Sequence, residues 1–354
     1  MNESKSPVAG RGGSALLRAA VAALAVIVVG TAVITGPAVK PTRAILDLGL
    51  ATYTAAQSAA ILGRDGRFTI LLLGSDARAG GLVSRTDAIL VASVDPVSGR
   101  AAVFSIPRDV VNFPLTARTR FPGKINALYP WLAKKYGASS AGRRMRGIVG
   151  NALGVEIDSY ALIGFTGFRR LVDTIGGVDV YAARTLRDPK YTILVNGVRR
   201  RVTFYAGWNH LTNQRALAYA RIRYLDSDYA RARRQQQLII AAITKTLSLG
   251  PDAALSGLVA ASTGVIRTDL PLANAPLIFA MVQQADLRNA KRVVFGPRAY
   301  AVSAGFGRIA LRMTVCRTWI RRYFPLRQPG ATWLPPEPVP VETPVPDPTP
   351  VPTP

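Results

Sequence analysis

Cysteine, histidine and glutamate are nearly missing from this chain. Its 354 residues contain one Cys (Cys316), one His (His210) and four Glu, at positions 3, 156, 337 and 342. A lone Cys excludes an intramolecular disulfide and any multi-Cys metal site, and it leaves the redox compartment open. A lone His excludes a His-cluster metal site, and also a Ser-His-Asp or Cys-His catalytic unit unless His210 itself serves. With Glu so scarce, a carboxylate ligand or base in the body of the chain has to be Asp.

Acid as a whole is in short supply. Twenty Asp plus Glu stand against 45 Lys plus Arg, a formal net charge of +25. Charged residues make up only 18% of the chain, below the roughly 25% of an ordinary globular domain, so the imbalance comes from missing acid more than from added base. The base is almost all Arg, 37 against 8 Lys. A hydrophobic content of 49% excludes a wholly disordered polycation and, at this length, fits one or two domains. Neither GxxxxGK(S/T) nor GxGxxG after a strand occurs, which removes the usual support for nucleotide hydrolysis and dinucleotide binding.

The two ends differ from the middle. Residues 19–36 are free of charge and as a helix would extend about 27 Å, close to a hydrocarbon core of about 30 Å. A cleaved signal peptide competes with this reading, but the run is long for its apolar region; the expectation is an uncleaved anchor. Lys5, Arg11 and Arg18 precede it and Lys40 and Arg43 follow, a weak preference for a cytoplasmic N-terminus (1–18) and an extracytoplasmic body. Ten of the twenty residues from Pro335 to Pro354 are Pro, a composition expected to give an extended polyproline-like tail that serves as a spacer or a proline-rich ligand.

Between a linker at 37–64 and an extension at 301–334, strand and helix signals alternate. The apolar run FTILLLG (68–74) predicts a buried strand. AILVASV (88–94) and AAVFSI (101–106) flank the turn signal DPVSGR and predict a hairpin. Helical spacing covers 165–175, ends at Gly176 and Gly177, and gives way to a strand at VDVY. A long helix is predicted near 226–247, weaker ones at 252–262 and 272–285, and a late strand at 291–296. The alternation predicts one α/β domain over about 65–300.

Four clusters could carry chemistry. Gly74, Ser75, Asp76, Ala77 and Arg78 follow the buried strand, where open α/β sheets place ligands. Arg85, Thr86 and Asp87 precede the next strand. If the loop between them closes, Asp76 and Asp87 could meet and hold Mg²⁺, which takes oxygen ligands and is usually shared with phosphates; alternatively Asp76 caps a turn and Asp87 pairs with Arg85. Arg108 and Asp109 leave a third strand behind the stiffening Pro107, aimed at a ligand or paired with each other. Lys124, Ile125 and Asn126 read most simply as a solvated loop leading into a helix. The densest cluster is YARIRYLDSDYARARRQQQ (219–237). Arg221 and Arg223 share a side if extended, and Arg231 and Arg234 share a face if helical, with Gln235 beside them. Guanidinium groups offer planar forks for phosphate oxygens, and a helix N-terminus would add its dipole; a solvated basic face is the other reading.

Taken together, GSDAR (74–78), RTD (85–87), SIPRD (105–109), KIN (124–126), the segment 157–180 and LTNQRALAYARIRYLDSDYARARRQQQ (211–237) resemble the LytR-CpsA-Psr family in order and spacing. The resemblance covers about 65–240. It implies a three-layer α/β/α domain around a mixed β-sheet behind a single N-terminal transmembrane helix. It implies a phosphotransferase that moves an anionic glycopolymer, such as teichoic acid, from a polyprenyl-pyrophosphate carrier to peptidoglycan, with Mg²⁺ or Mn²⁺ at the pyrophosphate. Matched by position, Asp76 and Asp87 are the metal and catalytic acids, joined in catalysis by Arg108. Arg85, Arg108, Arg221, Arg223, Arg231 and Gln235 are the pyrophosphate contacts, and Arg78, Arg233 and Arg234 are supporting or structural. Aliphatic residues of 237–244 with Leu162, Ile163 and Phe165 could line a cleft for the carrier tail. Asn213 and Gln214 depart from the family's usual Asn-Gly. A non-catalytic polymer-binding scaffold or regulator, and a polyprenyl-pyrophosphate hydrolase, remain as alternatives. Nucleic acid is not an expected partner of a body facing away from the cytoplasm.

Overall fold

The computed structural model describes residues 61–63, 65–76, 83–222, 227–249, 266–271 and 274–325. The expected anchor at 19–36, the Pro-rich tail, the helix at 252–262, Arg78 and Arg223 lie outside these residues. Among the described residues no helix is long and apolar enough to cross a membrane.

In chain order the strands and helices begin with β1 (Phe68–Ser75), β2 (Thr86–Asp95) and β3 (Arg100–Ser105), followed by a 3₁₀ turn at Ile125–Ala127, α1 (Leu128–Tyr136) and α2 (Ala138–Leu153). Next come β4 (Ser159–Ile163), α3 (Phe165–Thr174), β5 (Val178–Ala182), β6 (Leu186–Val195), β7 (Val198–Phe204), β8 (Gly207–Leu211), α4 (Asn213–Arg221) and α5 (Asp228–Ser248). The chain continues through β9 (Ile266–Thr268), α6 (Ala275–Gln283), β10 (Asp286–Val294), β11 (Ala301–Ser303), β12 (Ile309–Leu311) and α7 (Met313–Tyr323).

Six strands form one sheet in the order β10-β3-β2-β1-β4-β9. It is mixed: β1 pairs antiparallel with β2 and parallel with β4, while β3 pairs antiparallel with β2 and parallel with β10. The run at 68–74 is apolar throughout because β1 is central and covered on both faces. Ile70 and Leu72 of β1 with Leu90 and Ala92 of β2 face a core completed by Leu171 of α3, Ala216 of α4, Leu238 of α5 and Met281 of α6. Leu71 and Leu73 with Ile89 and Val91 face the opposite core, completed by Leu132 of α1, Met145 of α2 and Ile320 of α7. The result is helices on both sides of a mixed sheet, the α/β class expected from the alternating signals and the layering implied by the family resemblance. Residues of 301–324 belong to the second core through Ala301, Ile309, Cys316, Ile320 and Phe324.

Three short ribbons, β5 with β8, β6 with β7 and β11 with β12, stand apart from the main sheet. The second was missed by the sequence reading, although Asn196-Gly197 between apolar residues is a strong hairpin signal. Both turn residues have positive φ, 50° and 77°, as a two-residue primed turn requires. The long helix α5 is capped by Ser227, whose side chain accepts from the Ala230 amide at 3.3 Å, with Asp228 in its first turn. Arg221 ends helix α4 rather than lying on an extended segment.

Candidate active site

The C-terminal end of β1 and the start of β2 bring two carboxylates together through an irregularity. The pairing runs in step from Phe68 opposite Val94 to Gly74 opposite Ala88, then shifts, so that Ser75 faces Thr86 and Asp87 is the extra residue. By strand alternation Asp87 would point with Ile89 and Val91 toward the second core. The bulge turns it to the same side as Asp76, and both line one cavity. Re-aiming a side chain is a common use of a bulge beside a site. Gly74 is needed here, because a Cβ on it would lie 2.9 Å from the Ala88 Cβ. The Asp76 amide donates to the Arg85 carbonyl at 3.1 Å, closing the neck of the intervening loop.

The cavity encloses about 670 Å³, within the range of small-molecule sites. Its character changes along α5: Arg231 and Gln235 line it near the helix start, Leu238, Ile239 and Ala242 further on. Asp76, Asp87 and Arg108 join the polar end, Arg221, Asp188 and Lys190 add charge to the lining, and Leu72, Leu90, Ala161, Ile163, Phe165 and Phe168 supply apolar wall. Ile163, Phe165 and part of 237–244 therefore line it as expected. Leu162 does not; strand alternation turns it into the second core.

At the polar end the charges form a chain. Arg108 Nη1 donates to Asp87 Oδ2 at 3.0 Å, and Arg108 also lies 3.5 Å from Asp109 and 3.9 Å from Asp228. Asp228 Oδ1 is 2.8 Å from Arg231 Nη1. Burial works against the charge on Arg108, but the carboxylates of Asp87, Asp228 and Asp109 outweigh it and hold its pKa above the ordinary arginine value. Burial likewise pushes Asp109 upward, but the hydrogen bond from Lys124 and the Arg108 charge hold its carboxyl below the usual range. Arg108 thus pairs with Asp109 and also lines the cavity. Asp76 Oδ1 accepts from the Ser84 hydroxyl.

The segment 124–126 supports the site rather than forming a solvated loop. Asn126 is buried and its Nδ2 donates to Asp87 Oδ1 at 3.0 Å, so both oxygens of Asp87 are engaged. Lys124 bonds Asp109. Asp188, Lys190 and Tyr191 of β6 were not foreseen, and no local motif marks them. Tyr191 receives a hydrogen bond from Arg221 Nη1 at 3.2 Å, and the Arg221 guanidinium also lies 4.6 Å from the Phe165 ring centroid.

Two expected site residues, Arg85 and Arg223, are not among the described residues of the cavity wall, and Arg234 has the structural role expected of it. Arg85 is exposed and is not among the residues lining the cavity. Arg223 is outside the described residues. Arg234, although three residues from Arg231, is buried and donates to the carbonyls of Tyr219 (3.0 Å) and Ile222 at the end of α4, a cation at a helix C-terminus. Gln235 joins it by donating to the Ala220 carbonyl at 3.3 Å. His210 is exposed, pairs with Asp179 at 2.7 Å and takes no part in the cavity.

Two carboxylates without a third acidic, His or Cys ligand suit a hard cation that keeps waters and shares a phosphate; among the described residues no group of three such ligands occurs. Asp76 and Asp87, both on the cavity wall, therefore fit Mg²⁺ bound jointly with a substrate and would not suit a protein-only cage.

The LytR_cpsA_psr family matches residues 50–296. The chain is 32% identical over 184 residues to the polyisoprenyl-teichoic acid–peptidoglycan teichoic acid transferase TagV of Bacillus subtilis, covering 51% of this chain and 44% of that protein. It is 32% identical over 213 residues to the corresponding transferase TagU of Halalkalibacterium halodurans, covering 58% and 62%. It thus spans 44% to 62% of the length of these relatives. Among solved structures, B. subtilis TagV superposes with a TM-score of 0.58 at 22% identity, covering 75% of this chain and all of that one. TagT bound to LI-WTA gives 0.51 at 20% identity, covering 78% and 94%. With this match over most of its length, the chain belongs to the LytR-CpsA-Psr family.

Proposed function

We propose that the protein is a phosphotransferase that moves an anionic glycopolymer from a polyprenyl-pyrophosphate carrier onto peptidoglycan. The observation that carries this reading is a cavity whose wall passes from carboxylates and guanidiniums to aliphatic side chains along α5. A lipid pyrophosphate has that same division. Relatives sharing this domain are named for transfer of teichoic acid from a polyisoprenyl carrier.

In this reading the pyrophosphate lies among Arg108, Arg221, Arg231 and Gln235, and the first isoprene units follow α5 past Leu238, Ile239 and Ala242. The four groups offer forked or paired N–H donors that fix the phosphorus for in-line attack. Arg108 and Arg231 are already oriented by Asp87 and Asp228, so little reorganisation is needed when charge develops. Asp76 and Asp87 would hold Mg²⁺, which neutralises phosphate oxygens when bound. The acceptor sugar hydroxyl attacks the glycopolymer-linked phosphorus, and its proton passes to one carboxylate of the Asp76 and Asp87 pair. A new oxygen–phosphorus bond forms, the pyrophosphate bridge breaks, and polyprenyl phosphate leaves. Anchoring by residues 19–36, with an extracytoplasmic domain, belongs to the same proposal, since both carrier and acceptor lie at the outer face of the membrane.

The test is to incubate the full chain with a lipid-pyrophosphate oligosaccharide, Mg²⁺ and a peptidoglycan oligomer. A phosphodiester-linked product is expected. Release of free oligosaccharide phosphate without that product would replace the transferase with a hydrolase, and binding without turnover would replace it with a scaffold.

A further inference from the structure

The β6–β7 ribbon ends in exposed apolar residues, which is unusual for a tight turn in water. Leu194, Val195 and Val198 are 52%, 40% and 54% exposed, and they surround Asn196-Gly197, with Val195 paired to Val198 across the turn. Immediately behind them Arg199, Arg200 and Arg201 follow in succession on β7, all exposed. Their partners across the ribbon are Leu194, Ile193 and Thr192, and among the described residues none of the three makes an ion pair. From Lys190 to Arg201 there are four bases and no acid. Charges alone would be read as guards against edge pairing of an exposed ribbon, but guarding does not call for an aliphatic tip.

We propose that this hairpin is a membrane-docking element: the Leu194, Val195 and Val198 tip enters the acyl region of an anionic bilayer, and Arg199, Arg200 and Arg201 rest among the lipid phosphates. An apolar tip with a basic collar complements such a surface on both counts, since the aliphatic groups leave water and the guanidiniums meet phosphates at the headgroup level. A soluble polyanion would satisfy the collar only. The ribbon is also held in place. Its β6 amide at Leu194 donates to Gln214 Oε1 of α4 at 3.0 Å, and Tyr191, lower on the same strand, accepts from Arg221. Asp188, Lys190 and Tyr191 line the cavity, so the strand that carries the tip is also a wall of the site. Docking through the tip would hold that wall near the bilayer that supplies the carrier; this consequence rests on the transferase reading, whereas docking itself does not.

The test uses the full chain in proteoliposomes, with an environment-sensitive fluorophore on Val198→Cys. Cys316 is buried and burial pushes its thiol up to about 12, so it does not compete for the label. A second label on Val97→Cys reports the β2–β3 turn, at the end of the sheet away from the site. In vesicles of equimolar phosphatidylcholine and phosphatidylglycerol, the label at 198 is expected to shift to the blue and be quenched several-fold more by brominated acyl chains than the label at 97. Replacing Arg199, Arg200 and Arg201 by Gln should reduce this response to that seen in phosphatidylcholine alone. Equal iodide access at 198 and 97 in the anionic vesicles, or a response at 198 to dextran sulfate but not to brominated lipid, would overturn the proposal. These readouts need no turnover, so loss of the docking reading and loss of the transferase reading can be told apart.

Discussion

Arg108 Nη1 meets Asp87 Oδ2 at 3.0 Å, across a gap that exists only because Asp87 is the extra residue of a bulge. Were β1 and β2 to stay in step, the carboxylate would face the second core, and Arg108 would lose its closest acid. The pair therefore joins a backbone irregularity to the chemistry. Replacing Asp87 with Asn keeps shape and removes charge. We expect transfer to fall by roughly 10²- to 10³-fold, the usual effect of removing one electrostatic group at a reacting centre, with little change in thermal unfolding. Product formation from the lipid-pyrophosphate oligosaccharide measures this; wild-type turnover in Asp87→Asn would remove Asp87 from the mechanism.

Asn126 engages the other oxygen of Asp87 from a buried position. It is a positioning residue, acting on the reaction through the carboxylate. Asn126→Ala leaves Asp87 free to rotate, at a cost of about 1.5 kcal/mol for a hydrogen bond to a charged group, or about tenfold in kcat/KM. A purely structural role would lower Tm and spare the rate, so both are measured; the expected result is a lowered rate at near-normal Tm and a raised Mg²⁺ requirement.

The apolar stretch of the cavity gives a length-dependent prediction. Ala242 lines it from α5, and Ala242→Phe would fill the space assigned to the carrier tail. Displacing two methylene equivalents costs about 1.6 kcal/mol, so kcat/KM should fall about fifteenfold for an undecaprenyl carrier and much less for one too short to reach Ala242. An equal loss with both carriers would mean that the tail does not run along α5.

Asp158 supplies a pH signature away from the site. Burial pushes its carboxyl up to about 7, with the Thr69 amide pulling against the rise and Asp65 and Glu156 adding to it. An unfolded Asp titrates near 3.8, so between about pH 4 and 7 the folded chain binds more protons and this group's contribution to stability decreases as pH rises, by up to about 1.4 kcal/mol per unit. Asp158→Asn retains an oxygen for Thr69 and cannot titrate. The difference in Tm between variant and wild type should grow from pH 4.5 to 7.5 in favour of the variant. A constant difference would mean that Asp158 titrates normally.

Much of this was legible in the sequence because burial on both faces leaves a mark that a short window can read. The apolar run at 68–74 became a central strand, and DPVSGR became the turn between β2 and β3. Asp76, Asp87, Arg108, Arg231 and Gln235 do converge on one cavity. What spacing could not supply was register and long-range pairing. A one-residue bulge decides the direction of Asp87, a buried contact 39 residues away recruits Asn126, and Asp188 and Tyr191 enter on a ribbon whose Asn-Gly turn was overlooked. Leu162 failed as a cavity residue for the same reason: strand alternation gave the inward direction to its neighbours Ala161 and Ile163.

Arg234 and Arg221 test whether the arginines of 219–237 divide into structural and ligand-binding groups. Arg234 is buried and satisfies carbonyls at the end of α4, whereas Arg221 is exposed, lies over Phe165 and lines the cavity. Arg234→Met keeps most of the volume but leaves the Tyr219 and Ile222 carbonyls without their donor, at a cost of about 3 kcal/mol; for a domain of this size that is a fall in Tm of roughly 9 °C. Arg221→Met removes an exposed guanidinium with its surface contacts to Tyr191 and Phe165, so Tm should fall by no more than about 2 °C while transfer falls ten- to a hundredfold. The two variants change net charge equally, so a general loss of basic field would affect their rates alike; opposite patterns in Tm and rate are expected from the contacts each side chain makes. Equal unfolding shifts, or normal transfer by Arg221→Met, would remove Arg221 from the pyrophosphate contacts.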